Sequence, residues 1–218
     1  CGDESSNQDE IVKDSVKDDI VVEIGPEKEI VWEKDGKEMI LIPSGTFDIG
    51  DHSGKDKAAV RRTVLLDAFY MDVHEVTVGQ FKQFVDQSGY NYGGNWSEVN
   101  KHSLGDDHPM ICVNWNDATA YAEWSGKRLP TEAEWEKAAR GGLNGKLYVW
   151  GDDMKFANLH ANFFGVQGKD QWDETTAPVG SFFSNGFGLY DMSGNVREWV
   201  WDCYGDYSSS SVTDPHGP

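Results

Sequence analysis

The stretch Gly186-Phe187-Gly188-Leu189-Tyr190-Asp191-Met192-Ser193-Gly194-Asn195-Val196-Arg197-Glu198-Trp199 lies in the part of the chain, from Tyr148 onward, where turn residues dominate. Gly194-Asn195 marks a turn able to aim backbone carbonyls inward, and Asp191 and Glu198 stand on either side of it. Two carboxylates beside a Trp-rich core repel one another unless a cation compensates. Calcium asks for roughly six to eight oxygens from carboxylates, carbonyls and irregular backbone, which is the chemistry this stretch offers. The simpler account is that the Asp and Asn residues cap turns.

Working outward, three helices announce themselves by their ends. Thr131 and Glu134 form a capping box after Pro130, Trp135, Ala138 and Ala139 supply a buried stripe, and Gly141-Gly142 ends the helix. A second helix runs from about Asn116, with Ala120, Tyr121 and Trp124 on one face and Gly126 as its stop. Thr77 and Gln80 open a third, carrying Phe81, Phe84 and Val85 before Gly89. Upstream, Ile30 to Lys34 and Lys37 to Ile42 flank Asp35-Gly36, a pair suited to a two-residue hairpin turn. Thr46 to Gly50 alternates like a half-buried strand, a polar loop reaches about Arg62, and Thr63 to Met71 reads as one strand. Ala177 to Phe182 is a further short strand between loops.

Composition narrows the function classes. Nineteen basic against 38 acidic residues give a net charge of -19, which opposes nucleic acid as a partner and favours cations. Nine Trp and 24 Gly describe a folded, loop-rich protein with rigid aromatic anchors. Nowhere do about 18 apolar residues run together, so no segment spans a bilayer as a helix.

The six His show no pair at helical ligand spacing; His102 and His108 share a segment, where solvated loop histidines are the simpler expectation. There is no nucleophile elbow and no phosphate-cradling loop. Glu132, Glu134 and Glu136 read as capping and helix-dipole residues rather than an acid/base pair, with Arg128 as a structural ion-pair partner. Trp135, Trp150 and Trp199 read as core anchors. Cys112 and Cys203 show no metal-ligand spacing; two buried thiols and a disulfide are equally open.

Cys1-Gly2-Asp3-Glu4 begins a polar run to about Asp19. It resembles a mature bacterial lipoprotein, with a lipid on Cys1 attaching the protein to a membrane through a 1–19 tether and the domain over 20–218. The location expected from that is extracytoplasmic.

Met39-Ile40-Leu41-Ile42-Pro43-Ser44-Gly45-Thr46-Phe47, Glu75-Val76-Thr77, Pro109-Met110-Ile111-Cys112-Val113-Asn114-Trp115, Arg128-Leu129-Pro130-Thr131-Glu132-Ala133-Glu134-Trp135-Glu136 and Gly186 to Trp199 follow one another in order. Together they resemble the successive signatures of the formylglycine-generating enzyme, or sulfatase-modifying factor, family. The resemblance implies an α+β fold with a C-type-lectin-like core, few short strands and about three helices. It also implies an oxidase that converts a cysteine of a sulfatase polypeptide to formylglycine, using molecular oxygen and copper held by a cysteine pair. In the family those cysteines follow the segment at which this sequence stops, so the domain is expected to be C-terminally incomplete, and neither Cys112 nor Cys203 receives a catalytic role. By the same resemblance calcium is bound through Asp191, Gly194, Val196 and Glu198. A second calcium site maps onto Asn162 and Phe163 with Asp170 and Trp172; because Ala-Asn occurs twice, Asn158 and Leu159 remain alternatives for its first pair. The rival function is a non-catalytic, ligand-binding lipoprotein on the same scaffold.

Overall fold

The computed structural model describes residues 26–50, 61–163, 172, 174–205 and 210–217. The expected tether and Asp170 lie outside the described residues. Among those described, no helix is long and apolar enough to cross a membrane.

The architecture is α+β, with two small sheets and five helices. Strands β1 (Glu29–Val31), β2 (Glu38–Ile42) and β5 (Phe69–Asp72) form one antiparallel sheet in the order β1-β2-β5. The hairpin joining β1 to β2 is wider than the two-residue turn expected. Trp32 N–H donates to the Lys37 carbonyl at 2.7 Å and Gly36 N–H to the Trp32 carbonyl at 2.8 Å, with Gly36 at φ +70°. The reason is Asp35, which turns inward: its buried carboxylate accepts from Tyr121, Lys127 and the Lys37 amide.

The second sheet has the order β3-β4-β6, built from β3 (Gly45–Ile49), β4 (Arg62–Leu66) and β6 (Val212–Thr213). β3 and β4 are antiparallel, whereas β6 joins β4 in parallel. Thr63 to Met71 is therefore two strands in two sheets. The chain crosses at Asp67-Ala68, where the Asp67 amide donates to the Asp214 carboxylate at 2.9 Å instead of to a ladder. β4 is the central strand of its sheet, and its residues alternate buried and exposed.

Helix α4 (Glu132–Arg140) is packed on two sides. Ala133 meets Ile49, Val64 and Leu66 of the second sheet, while Ala138 and Ala139 meet Ile40 and Ile42 of the first together with Leu189 and Met192. Helices α1 (Val78–Ser88), α2 (Trp96–His102) and α3 (Trp115–Ser125) enclose a separate aromatic core around Phe81, Phe84, Val99 and Tyr121. Phe81 and Phe84 lie edge-on at 5.3 Å, a geometry aromatic pairs favour.

The capping boxes at Thr77 and Thr131 and the glycine stops at Gly89, Gly126 and Gly141 stand as the sequence implied. α3 begins earlier than expected, because Asn114 caps it and Asp117 closes a reciprocal box. Short helices α2, capped by Asn95, and α5 (Ala157–His160) were not foreseen.

Residues 177–182 form no strand. Their amides go elsewhere: Val179 to the Asp107 carbonyl, and Gly180 to the Asp191 carboxylate at 2.7 Å. The 186–199 segment docks on the end of α4 through the Asn185 amide, which donates to the carbonyls of Ala138 and Ala139 and so caps the helix. Here the backbones almost touch. A Cβ placed on Gly186 would lie 2.3 Å from the Gly141 carbonyl oxygen.

Gly186→Ala is therefore expected to destabilise the chain by about 1–3 kcal/mol, because backbone cannot retreat as a side chain can. Gly93→Ala, where an added Cβ meets nothing within 4 Å, should stay within about 0.5 kcal/mol. Urea unfolding of the two variants measures the difference.

Candidate functional site

A cavity of about 460 Å³ opens between β5, the α1 and α3 side, the start of α4, and residues 190–199. Trp32, Phe69, Tyr121, Trp135 and Trp199 give it aromatic walls, and Glu75, Glu198, Asp72 and Lys127 give it charge.

One wall rests on buried ions. Lys37 is 2% exposed, and its ammonium donates to the His74 and Glu75 carbonyls at 2.6 and 2.9 Å, with Asp72 at 3.6 Å. Lys127 bridges Asp35 and Asp72 at 2.9 and 2.8 Å, and Tyr121 donates to Asp35 at 3.0 Å. Burial pulls the Lys37 ammonium below the ordinary lysine range, Lys127 adds to that pull, and Asp72 opposes it. Burial and the Lys37 charge lower His74, so the imidazole beside this pair is kept neutral. Desolvation, then Asp35, raises the Tyr121 hydroxyl, which remains a donor.

The opposite wall carries the residues singled out above. Asp191 is 3% exposed and takes a left-handed backbone, φ +55°, as does Asn195 at φ +54°. One Asp191 oxygen accepts from Gly180; the other, Oδ1, is buried with no hydrogen-bond partner. Facing it is Glu75, from the β5–α1 junction, whose Oε1 is likewise buried without a partner. Burial, then the charges of Asp191 and Glu198, push the Glu75 carboxyl well above its ordinary range. Burial raises Asp191 as well, with the Gly180 N–H opposing.

Glu198 lines the cavity. Its side chain keeps accessible surface there, yet protein surrounds it on the other sides, and its Oε2 accepts from the Trp135 indole at 3.1 Å. Burial lifts its carboxyl to about 7, against the pull of the Trp135 N–H. Val196 also lines the cavity, while Gly194 backs onto Asn162, whose carbonyl oxygen would stand 2.4 Å from a Cβ at that position.

Of the second expected calcium set, Asn162 is buried and committed to structure. Its amide nitrogen donates to the Thr175 carbonyl and the Asn195 side chain, and its carbonyl accepts from the Asn195 amide. Phe163 packs edge-on to Trp150 and Trp172 to Phe182. Asn158 and Leu159 belong to α5, where the Leu159 carbonyl accepts from Phe183. Asn195 joins the two proposed sites: besides Asn162 it holds the Ala177 amide at 2.9 Å and reaches Glu75 at 3.5 Å.

Among the described residues, no group of three His, Cys, Asp or Glu side chains converges at metal-binding distance. Cys112 and Cys203 are both exposed free thiols, so neither the buried pair nor the disulfide left open from sequence is present. Copper does not fit this donor set, since a soft ion needs converging thiolates or imidazoles. His102 ends α2 against the Glu174 carbonyl, and His108 is buried on Thr176; neither is a solvated loop histidine. Glu134 keeps both of its expected roles, capping α4 and gripping Arg128 through two bonds of 2.6 Å. Glu136 pairs instead with Arg140, and Trp199 is 47% exposed on the cavity rather than a core anchor.

Glu75, Lys37 and Asn195 are the members of this region that sequence reasoning did not assign. Glu75 stood inside a quoted motif, and only three-dimensional contact gives it a role.

Residues 28–215 match the sulfatase-modifying factor enzyme 1-like domain. The formylglycine-generating enzyme of Bos taurus is 35% identical over 83% of this chain, which spans 62% of that relative's length. The formylglycine-generating enzyme of Thermomonospora curvata is 37% identical, with 84% of this chain and 78% of the relative covered. Among solved structures, PvdO from Pseudomonas aeruginosa superposes with a TM-score of 0.71 at 30% identity, over 87% of this chain and 82% of its own.

The raised acids set a pH dependence. A carboxyl whose pKa is higher in the folded state binds its proton more tightly there, so its contribution to stability is present at low pH and is lost as pH rises. For Glu198 the window runs from the ordinary 4.5 to about 7. In chelator, the melting temperature of wild type relative to Glu198→Gln should fall between about pH 5 and about pH 8. A difference that is flat across that range would remove the raised carboxyl from the account.

Proposed function

We propose, for a chain that belongs to the sulfatase-modifying factor enzyme 1-like family, the formylglycine-generating type of function, served through a calcium-braced scaffold that presents the aromatic cavity to a sulfatase polypeptide. The observation that carries the scaffold half of this reading is the Asp191 carboxylate, buried in a left-handed turn with one oxygen unsatisfied. An orphaned buried carboxylate oxygen costs about 1–3 kcal/mol or more, and a hard cation removes that cost.

Asp191 and Glu198 would hold the ion with the carbonyls of Gly194 and Val196. Bound there, calcium supplies charge compensation and fixes the turn. The chain's own residues then keep the cavity walls in place: Asn195 ties the turn to Asn162 and Ala177, and Trp135 orients Glu198. The second expected ion, at Asn162, Phe163, Asp170 and Trp172, belongs to the same proposal, with Asn162 already tied to Asn195.

No oxidative step is assigned to Cys112 or Cys203, because two exposed, unpaired thiols do not form a copper site. This observation favours a second reading, a non-catalytic module that binds its ligand in the cavity.

Two measurements test these statements. Calcium at about 100 times its dissociation constant adds about 2.7 kcal/mol of stability, a readily measured rise in melting temperature. Asp191→Ala should abolish most of that rise; a wild-type transition that neither calcium nor chelator moves would defeat the scaffold reading. For the chemistry, the chain is incubated with copper, oxygen and a Cys-Xaa-Pro-Xaa-Arg peptide, and the peptide mass is followed. No conversion above a metal-only control is expected. Conversion that survives Cys112→Ser but not Cys203→Ser, or the reverse, would show the copper argument to be wrong.

A further inference from the structure

The β5–α1 junction places a third acid against the turn. Glu75 comes from a part of the chain remote in sequence from Asp191, yet the two carboxyl groups stand within hydrogen-bond reach of one another. Neither Glu75 Oε1 nor Asp191 Oδ1 has a donor. Asp191 is almost wholly buried, and no basic side chain is turned toward the pair. Lys37, the nearest ammonium, spends its protons on the His74 and Glu75 carbonyls and faces Asp72. His74 is held neutral and hydrogen-bonds the Glu75 carbonyl. Arg128 is committed to Glu134. The one donor that reaches a Glu75 carboxylate oxygen is the Asn195 amide, at 3.5 Å to Oε2. Two lone-pair oxygens that face each other inside protein need either a proton or a metal ion between them. The turn beside them has left-handed residues at 191, 194 and 195, a backbone that can direct carbonyl oxygens to one point.

We infer that Glu75 is a ligand of the calcium ion at the 191–198 turn, so that the ion bridges the β5–α1 junction to the C-terminal loop. The inference rests on the calcium reading above and adds a carboxylate from a different element. An ion held in this way fastens α1 to the turn. Its binding is then coupled to the junction at Glu75-Val76-Thr77, where Thr77 also caps α1.

The test uses the full chain stripped of metal, with calcium chloride alone as the probe, in wild type, Glu75→Gln and Glu123→Gln, the last being exposed on α3. Calorimetric titration gives the dissociation constant, and melting in chelator gives apo stability. Glu75→Gln is expected to weaken calcium at least tenfold and, in chelator, to melt above wild type, because an amide can donate to Asp191 where a carboxylate repels it. Glu123→Gln should change neither. A purely structural role for Glu75 would lower apo stability instead, so the opposite signs of the two effects identify a ligand.

Calcium bound by Glu75→Gln within twofold of wild type would overturn the inference while leaving the calcium reading intact, and would mean that a shared proton alone serves the pair. No binding by wild type would remove both. Should Glu75→Gln fold poorly, Glu75→Asp keeps the charge on a shorter arm: weakened calcium binding in that variant supports the assignment, and unchanged binding opposes it.

Discussion

Three alanines on α4 allow two sheets and a loop to share one helix. Ala138 has no exposed surface, and Ala133 and Ala139 have almost none. Larger side chains at these positions would hold the partners apart, since core packing tolerates little added volume. The helix is anchored at both ends by polar groups that double their roles. At its start Glu134 caps the backbone and grips Arg128; at its finish Asn185 takes the last carbonyls and holds the amides of Phe187 and Leu189. The cavity and the 191–198 turn inherit their positions from that docking, so the site is a product of helix packing before it is a product of loop chemistry.

Against this apolar centre the chain buries an unusual amount of charge. Lys37, Asp35, Lys127 and Asp72 form a connected set in which each ammonium meets carboxylates or carbonyls. Such groups gain little net stability once desolvation is counted, but removing one partner strands the others. The arrangement fixes which way the β1–β2 hairpin folds, because Asp35 must reach Tyr121 and Lys127. The acidic pair on the other wall is different in kind. Lys37 offsets part of its own burial with Asp72, whereas Glu75 and Asp191 have each other.

Much of this could be read in the sequence, for identifiable reasons. Capping boxes and glycine stops are local, and the helices they bound were recovered from Thr77, Thr131, Gly89, Gly126 and Gly141. α3 was started late because its box uses Asn114 and Asp117 rather than the Ser/Thr and Glu/Gln pattern. The alternation at 177–182 resembled a strand, but those amides serve a neighbouring loop and a carboxylate, which no periodicity records. Thr63 to Met71 looked continuous because nothing in the residues themselves marks a change of sheet; the break is made by Asp214, far along the chain. At the site, Asp191 and Glu198 were legible from their turn. Glu75 was not, since a carboxylate acquires meaning only from the neighbour it is folded against. The free thiols were equally silent: nothing local to Cys112 or Cys203 tells exposure from burial.

The parallel pairing of Val212 with Val64 has a consequence in time. β4 is a central strand whose outer neighbour is contributed from almost the far end of the sequence, so the second sheet cannot finish until nearly the whole chain is available. Closing so long a loop carries a conformational-entropy cost that local helices avoid. During synthesis α1, α3 and α4 can form on the ribosome as soon as their residues emerge, while one edge of β4 stays unpaired. That edge is a template for strands of other molecules during the interval, and the charged Arg61 and Arg62 at its start are the kind of residues that discourage such pairing.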